Sequence, residues 1–166
     1  LDSFYKKIFE ITGIPKSIID HGCGLNPLTF PWMDLPPSTS YQSFDVDSDE
    51  VQFLNHILPL IGAKNASAQL GDIFQSNFEY ADIIFILKII PLLEHQQKAV
   101  TSELIQKQNC KFLVVSFPTK TIGGQNKGMQ LNYSYNFENI LKEAGLKTFH
   151  KLDFSNELVY IIDKSA

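Results

Sequence analysis

The stretch Ser17-Ile-Ile-Asp20-His-Gly22-Cys-Gly24-Leu-Asn26-Pro27-Leu-Thr-Phe-Pro31-Trp32-Met33 decides the fold, because an apolar strand ends on an acid and the chain then turns through two glycines. A strand followed by a glycine turn is how a Rossmann-like sheet builds a nucleotide pocket. A dinucleotide-binding turn would carry a third glycine at position 27, where this chain has Pro27. The stretch therefore predicts a nucleotide pocket that differs from an NAD site.

Short β-rich runs alternate with helical patterns on both sides of this stretch, which is typical of βαβ units and a mainly parallel sheet. The final two strands are joined by only three residues, too few for a parallel crossover, so they must form an antiparallel hairpin. The predicted helices are Asp2–Ile11, Ser48–Ile61, Leu93–Gln108 and Tyr135–Ala144. The predicted strands are Lys16–Asp20, Ser40–Phe44, Ala66–Leu70, Ile83–Leu87, Lys111–Ser116, Leu146–Asp153 and Glu157–Asp163.

This order of elements separates two classes of nucleotide-binding protein. NAD-binding Rossmann domains finish with parallel strands, whereas class I S-adenosylmethionine (SAM)-dependent methyltransferases finish with an antiparallel hairpin. The predicted fold is therefore α/β, of the Rossmann-like class I SAM-dependent methyltransferase type, with a seven-stranded, mainly parallel sheet and a C-terminal antiparallel hairpin. With 166 residues, we expect a single domain spanning 1–166 and no second one.

Composition limits where the protein acts and what it contacts. The longest apolar run, 81–93, is interrupted by Asp82 and Lys88, so no segment is expected to span a membrane. Cys23 and Cys110 show neither metal-ligand nor disulfide spacing, the four histidines show no metal pattern, and no targeting segment is evident, so we expect a cytoplasmic protein without a metal. The net charge is -4 and all fourteen cations are lysines, which argues against extensive RNA contact by this chain alone.

In this topology ligands bind outside the carboxyl ends of the strands, and each early strand ends on an acid. Asp20 closes the first strand, and its carboxylate would pair with the ammonium of SAM, whose methionine part approaches the glycine backbone. Asp45 could accept both ribose hydroxyls, and Asp72 could accept from the adenine amino group. Each acid has the alternative of a turn residue, and Asp47 could also cap the next helix. The predicted cofactor-binding residues are Asp20, Gly22, Gly24, Asn26, Asp45, Asp47, Asp72, Ile73 and Leu87.

The segment after the fourth strand limits the acceptor. Methyltransferases of exocyclic amines often carry an Asn/Asp-Pro-Pro-aromatic turn there, whereas this chain has Leu87-Lys88-Ile89-Ile90-Pro91, and neither cysteine lies where a nucleophile is needed. A neutral ring nitrogen needs no general base, so no catalytic residue is predicted and the enzyme contributes by alignment. Lys88, Phe117 and Lys120 are the substrate-positioning candidates. Phe117 could stack on a base or lie in the core, and Trp32 could cover the cofactor or lie in the core.

Four stretches carry a family resemblance. They are Asp20-His-Gly-Cys-Gly-Leu-Asn-Pro-Leu-Thr-Phe-Pro-Trp-Met33, Asp45-Val-Asp47, Phe85-Ile-Leu-Lys88-Ile-Ile-Pro-Leu-Leu93 and Ser116-Phe-Pro-Thr-Lys-Thr-Ile-Gly-Gly-Gln-Asn-Lys-Gly-Met129, with a weaker echo at Asn156-Glu157-Leu-Val-Tyr160. On these motifs the chain resembles the 16S ribosomal RNA (guanine(1405)-N7) methyltransferases that confer aminoglycoside resistance.

The resemblance implies methyl transfer from SAM to guanine N7 in the decoding site of the 30S subunit, with 16S ribosomal RNA as partner. Members of that family carry an additional N-terminal helical region that helps dock on the subunit, and this chain begins with the helix before the first strand. Two alternatives stay open beside ribosomal RNA methylation. One is a small-molecule SAM-dependent methyltransferase, and the other is a SAM-binding domain without RNA activity.

Overall fold

The structure is a computed structural model that describes residues 2–74, 79–97, 99–119 and 127–165, without the side chains of residues 2 and 127–132. The strands are β1 (Ser17–His21), β2 (Ser40–Asp45), β3 (Ala66–Leu70), β4 (Ala81–Leu87), β5 (Cys110–Pro118), β6 (Phe149–Phe154) and β7 (Glu157–Asp163). The helices are α1 (Asp2–Thr12), α2 (Ser48–Ile57), α3 (Ile90–Gln96), α4 (Val100–Lys107) and α5 (Lys127–Glu143), and a 3-10 helix covers Asn26–Met33.

The strands form one sheet in the order β3-β2-β1-β4-β5-β7-β6. This order confirms the predicted seven-stranded α/β sheet. By its internal contacts the chain divides into two compact units, residues 1–85 and 86–166. None of the described helices is long and apolar enough to cross a bilayer.

In the first unit, β2 pairs in parallel with β1 on one side and with β3 on the other. Because the strands are parallel and in register, their carboxyl ends lie at one edge, where Asp45 is the partner of Leu70. Helix α2 covers this part of the sheet with Val51 and Leu54, which share a face at i, i+3 spacing and lie in one buried cluster with Ala68 of β3.

Helix α1 supplies a second apolar stripe, because Tyr5, Ile8 and Phe9 recur at helical spacing and are all buried. The helix stops where Gly13 adopts a left-handed φ of 74° and its N–H donates to the Phe9 carbonyl at 2.9 Å. The predicted helix therefore extends by one residue, to Thr12.

The second unit contains the predicted hairpin. β7 pairs antiparallel with β6 and also with β5, so it lies between them, and its residues from Glu157 to Ile162 are all buried. A run buried on both faces reads as continuously apolar, as Leu158 to Ile162 does. The antiparallel hairpin is confirmed, although its first strand begins at Phe149 rather than at residue 146.

The other three predicted helices also differ from their predicted bounds. The helix predicted over Leu93–Gln108 is two helices, because Ala99 takes a left-handed φ of 61° and Glu94 of α3 accepts the Ala99 and Thr101 N–H groups at 3.0 Å, which caps α4. The helix predicted from Tyr135 begins eight residues earlier, at Lys127. The helix predicted to end at residue 61 ends at Ile57, where turns follow.

Candidate functional site

The glycine turn after β1 has the backbone that its sequence predicts. Gly22 and Gly24 have φ values of 58° and 47°, a left-handed conformation that costs a residue with a Cβ about 1–2 kcal/mol. The turn is tied to the next strand, because the Cys23 N–H donates to the Phe44 carbonyl at 3.1 Å. The two glycines therefore bring bare backbone to the carboxyl edge of the sheet.

Asp45, at the end of β2, holds this turn in place with both carboxylate oxygens. Oδ2 accepts the Gly24 N–H at 2.8 Å, and Oδ1 accepts the Asp47 N–H at 3.1 Å. Each carboxylate oxygen has two lone pairs, so both keep acceptor capacity for the hydroxyls of a ligand. The glycine turn that follows Asp20 is thus joined to Asp45 by the hydrogen bond from Gly24.

Asp20 lies beneath the turn and is 1% exposed. Its Oδ2 accepts from Tyr41 Oη at 2.5 Å and from Asn26 Nδ2 at 2.7 Å. Burial raises the pKa of Asp20 to about 6, the two hydrogen bonds oppose this, and the charge of Asp45 adds to it. Burial and the nearby Asp20 charge likewise raise the pKa of Cys23 to about 12, so this thiol stays protonated at neutral pH.

Two other predicted acids, Asp47 and Asp72, accept hydrogen bonds from backbone N–H groups. Asp47 Oδ1 caps α2 by accepting the Asp49 and Glu50 N–H groups at 2.9 and 3.1 Å, which is the alternative role foreseen for it. Asp72 Oδ1 accepts the Phe74 N–H at 2.9 Å in an Asx-type turn, with Ile73 half-buried between them. The neighbouring Gly71 is needed for close approach, because a Cβ there would lie 2.9 Å from a ring carbon of Phe44.

Three residues at this edge were not singled out as cofactor-binding from the sequence. Val46, the residue after Asp45, and Leu70, its partner on β3, are 72% and 61% exposed, and such apolar side chains at a strand end could pack against a purine ring. Glu50 lies 4.0 Å from where a Cβ of Gly24 would stand, and its pKa is raised by desolvation and by Asp45 and Asp47. The signal that could have found them is position, because Leu70 ends β3, Val46 follows β2 and Glu50 lies in the first turn of α2.

The predicted substrate-positioning residues belong to the second unit. Lys88 follows β4 with a left-handed φ of 64°, its N–H donates to the Ser116 carbonyl at 3.0 Å, and its Nζ lies 2.9 Å from Glu157 Oε2. Leu87 is the half-buried last residue of β4. Lys120 lies outside the described residues.

The structure corrects the prediction that Phe117 is a substrate-positioning residue. The ring is 2% exposed and packs against Tyr133, Phe137 and Tyr160, with centroids 5.3, 5.0 and 6.2 Å away. Of the two roles weighed for Phe117, base stacking and core packing, the structure shows core packing, because its faces are already covered by α5 and β7.

The remaining expectations concern Trp32, the cysteines and metals. Trp32 is 48% exposed on the 3-10 helix, so it is not the core aromatic that was one alternative. Cys23 and Cys110 are buried, and no disulfide joins them. Across the described ranges no group of three or more His, Cys, Asp or Glu side chains is placed to hold a metal ion.

Taken together, the first unit presents bare glycine backbone, two carboxylates and exposed apolar side chains at one sheet edge. This arrangement suits a ligand with a cation, a ribose and a flat ring, and with the C-terminal antiparallel hairpin the fold is that of class I methyltransferases. The model of the ribosomal RNA methyltransferase (FmrO) family matches residues 1–161. The chain therefore belongs to the FmrO family of ribosomal RNA methyltransferases.

Curated relatives and solved structures agree with this assignment. The chain is 36% identical over 165 residues to a 16S rRNA (guanine(1405)-N(7))-methyltransferase from Proteus mirabilis, covering 98% of this chain and 59% of the relative. It is 38% identical to the Micromonospora rosea enzyme of the same name, covering 99% and 60%. The chain thus spans about three fifths of the length of these relatives.

Among solved structures, the 16S rRNA methyltransferase RmtF in complex with S-adenosyl-L-homocysteine superposes with a TM-score of 0.79 at 29% identity, covering 98% of this chain and 61% of RmtF. The 16S rRNA methylase ArmA gives a TM-score of 0.75 at 28% identity, covering 98% and 81%.

Proposed function

We propose that this protein transfers a methyl group from SAM to N7 of a guanine in the decoding site of 16S ribosomal RNA, and that this guanine corresponds to the guanine 1405 in the names of its relatives. The observation that carries the proposal is the hydrogen bond from Gly24 to Asp45, because it sets a carboxylate that could accept ribose hydroxyls beside bare glycine backbone. The similar RmtF was solved with S-adenosyl-L-homocysteine, the product that SAM leaves after transfer.

The residues of the first unit suit the parts of SAM. The Gly22–Gly24 backbone, with Asp20 beneath it and Asn26 beside it, would receive the methionine part, whose ammonium is attracted to a carboxylate. Asp45 would accept the ribose hydroxyls. Asp72 and Ile73 would border the adenine, together with the exposed Val46 and Leu70.

For methyl transfer to guanine N7, the main task of the protein is to align the two reactants. Guanine N7 is a neutral ring nitrogen with its own lone pair, so it attacks the methyl carbon directly, the carbon–sulfur bond breaks and its electron pair returns to sulfur. No proton leaves N7, so no general base is required. Alignment of well-oriented reactants lowers the barrier by about 7–11 kcal/mol.

The proposal also names the domain that acts, the particle that is modified and the cellular compartment. Residues 1–166 would act as one SAM-binding domain, the 30S subunit would be the substrate particle, and the cytoplasm would be the place of action. Lys88 would meet an RNA phosphate from its position just after β4, since ligands of open α/β sheets bind outside the carboxyl ends of the strands.

The test is methylation of purified 30S subunits with methyl-labelled SAM and the protein expressed from its complete natural reading frame. We expect label in 16S rRNA, and borohydride–aniline cleavage, which cuts RNA at N7-methylguanine, should map it to a single decoding-site guanine. Asp45→Ala is the matched negative variant, because it removes the ribose acceptor. If wild type leaves the subunits unlabelled, ribosomal RNA methylation is wrong.

A second candidate, a SAM-binding protein that does not modify ribosomal RNA, is favoured by the net charge of -4 and the absence of arginine. Calorimetry with S-adenosyl-L-homocysteine separates the two. Binding without labelling of the subunits would support the second candidate, and a small-molecule acceptor would then be sought. No binding would reject both.

A further inference from the structure

The Asp20 carboxylate is supported asymmetrically. Two donors, Tyr41 Oη at 2.5 Å and Asn26 Nδ2 at 2.7 Å, converge on Oδ2. The other oxygen, Oδ1, is buried and has no hydrogen-bond partner within the part of the chain that the structure describes. A buried acceptor without a partner is uncommon in folded proteins and calls for a compensating charge or ligand.

The donors are themselves fixed from a distant element. Tyr5 of α1 donates from Oη to Asn26 Oδ1 at 2.9 Å. This contact determines which end of the amide faces Asp20, because an amide whose oxygen accepts from Tyr5 presents its NH2 group to the carboxylate. Tyr41 is completely buried, so solvent water does not compete with Asp20 for its hydroxyl. The network thus runs from α1 through the glycine turn to β2.

We propose that Tyr41 and Asn26 are positioning residues that hold the Asp20 carboxylate in place and in its charged form beneath the glycine turn, where it acts as a buried countercharge for the ammonium of SAM. This inference rests on the proposed function. It assigns a role to Tyr41 and, through Asn26, to Tyr5. Asp20 then acts through its field across the turn, since Oδ1 itself is out of solvent.

The electrostatics of the site support this role. Hydrogen bonds donated to a carboxylate favour its ionised form, and those from Tyr41 and Asn26 lower the pKa of Asp20 against the dominant effect of burial. Beside Tyr41, two titratable groups interact with the Asp20 charge: Asp45, which raises the pKa of Asp20, and Cys23, which is protonated at neutral pH. Without the Tyr41 hydroxyl, Asp20 would therefore be protonated over more of the neutral range.

The test is the affinity for S-adenosyl-L-homocysteine, measured by calorimetry between about pH 5 and 8.5, because this ligand carries the same ammonium as SAM. In wild type the affinity should weaken below about pH 6, by up to about tenfold per pH unit. In Tyr41→Phe the midpoint of this decline should move up by about one to two pH units, as expected for loss of a hydrogen bond to a charged group. Taking the ratio of variant to wild type at each pH cancels the titration of the ligand.

Three further variants complete the experiment. Tyr5→Phe should move the midpoint in the same direction by a smaller amount. Asp20→Asn should bind weakly with no decline between these pH values, and it gives an answer even if Tyr41→Phe does not fold. Tyr160→Phe removes another buried hydroxyl, which contacts Glu138 in the second unit, and should leave the midpoint unchanged.

Each outcome decides one claim. If Tyr41→Phe loses affinity equally at every pH, or Asp20→Asn keeps the wild-type decline, the inference is overturned while SAM binding stands. If wild type binds neither S-adenosyl-L-homocysteine nor SAM at any pH, the proposed function itself fails.

Discussion

Removing the Asp45 carboxylate should weaken SAM binding more than any other single acid-to-alanine change at the glycine turn. Asp45→Ala loses the acceptor for the ribose hydroxyls and also releases the Gly24 N–H, bonded at 2.8 Å, and the Asp47 N–H, bonded at 3.1 Å. A hydrogen bond to a charged group contributes about 1.5–3 kcal/mol. Two ribose hydroxyls then account for about 3–6 kcal/mol, and 3 kcal/mol corresponds to a Kd weakened about 150-fold.

The assay is titration calorimetry with SAM and S-adenosyl-L-homocysteine at pH 7.5, with the melting temperature recorded for each variant. Asp49→Ala is the matched control. Asp49 is an exposed acid in the first turn of the same helix that Asp47 caps, so its removal changes the net charge equally and should alter the affinity by less than about threefold. An Asp45→Ala protein that stays folded and binds within about threefold of wild type would refute the assignment of the ribose site.

Three further predictions follow from the contacts. Gly71→Ala places a Cβ 2.9 Å from the Phe44 ring, so urea denaturation should show a loss of about 1–3 kcal/mol in the free energy of unfolding. Lys88→Met should raise KM for 30S subunits and reduce the salt dependence of binding by about one phosphate contact without changing SAM affinity. Because the folded-state pKa of Asp20 is raised from 3.8 to about 6, the folded state binds the Asp20 proton more tightly than the unfolded state does. The wild type should therefore lose up to about 3 kcal/mol of stability relative to Asp20→Asn as the pH rises from about 4 to 7.

These three predictions fail in different ways. An unchanged urea midpoint would mean that the β3 turn relaxes without cost. A Lys88→Met protein with lower SAM affinity would place Lys88 against the cofactor instead of the RNA. A stability difference between wild type and Asp20→Asn that does not vary with pH would show that Asp20 titrates as an ordinary exposed acid.

The sequence revealed what local chemistry determines. Gly22 and Gly24 stand where the backbone is left-handed, Asp45 stands at a strand end, and the short connection between the last two strands permits only a hairpin. Each of these features is decided within a few neighbouring positions, so periodicity and turn rules were sufficient to predict the sheet, its hairpin and the position of the glycine turn.

The features that the sequence did not reveal depend on distant parts of the chain. Phe117 was ambiguous because its ring contacts come from α5 and β7, which no local pattern places beside β5. The division of the helix at Ala99 depends on Glu94 reaching forward to two N–H groups. Tyr41 looked like an ordinary strand residue, since nothing near it in the sequence indicates that its hydroxyl meets Asp20.

The place of β7 between β5 and β6 has a consequence for how the chain folds. β5 has no neighbour on that side until Glu157–Asp163 has been synthesised and inserted, and the β5 edge, nearly continuous in apolar residues from Phe112 to Phe117, stays open until then. Sheets that wait for late, long-range pairing fold slowly and expose an unpaired strand edge meanwhile. We therefore expect aggregation during synthesis to be most sensitive to changes in β7, and a chaperone that shields hydrophobic edges to raise the yield of this protein more than a solubilising surface substitution would.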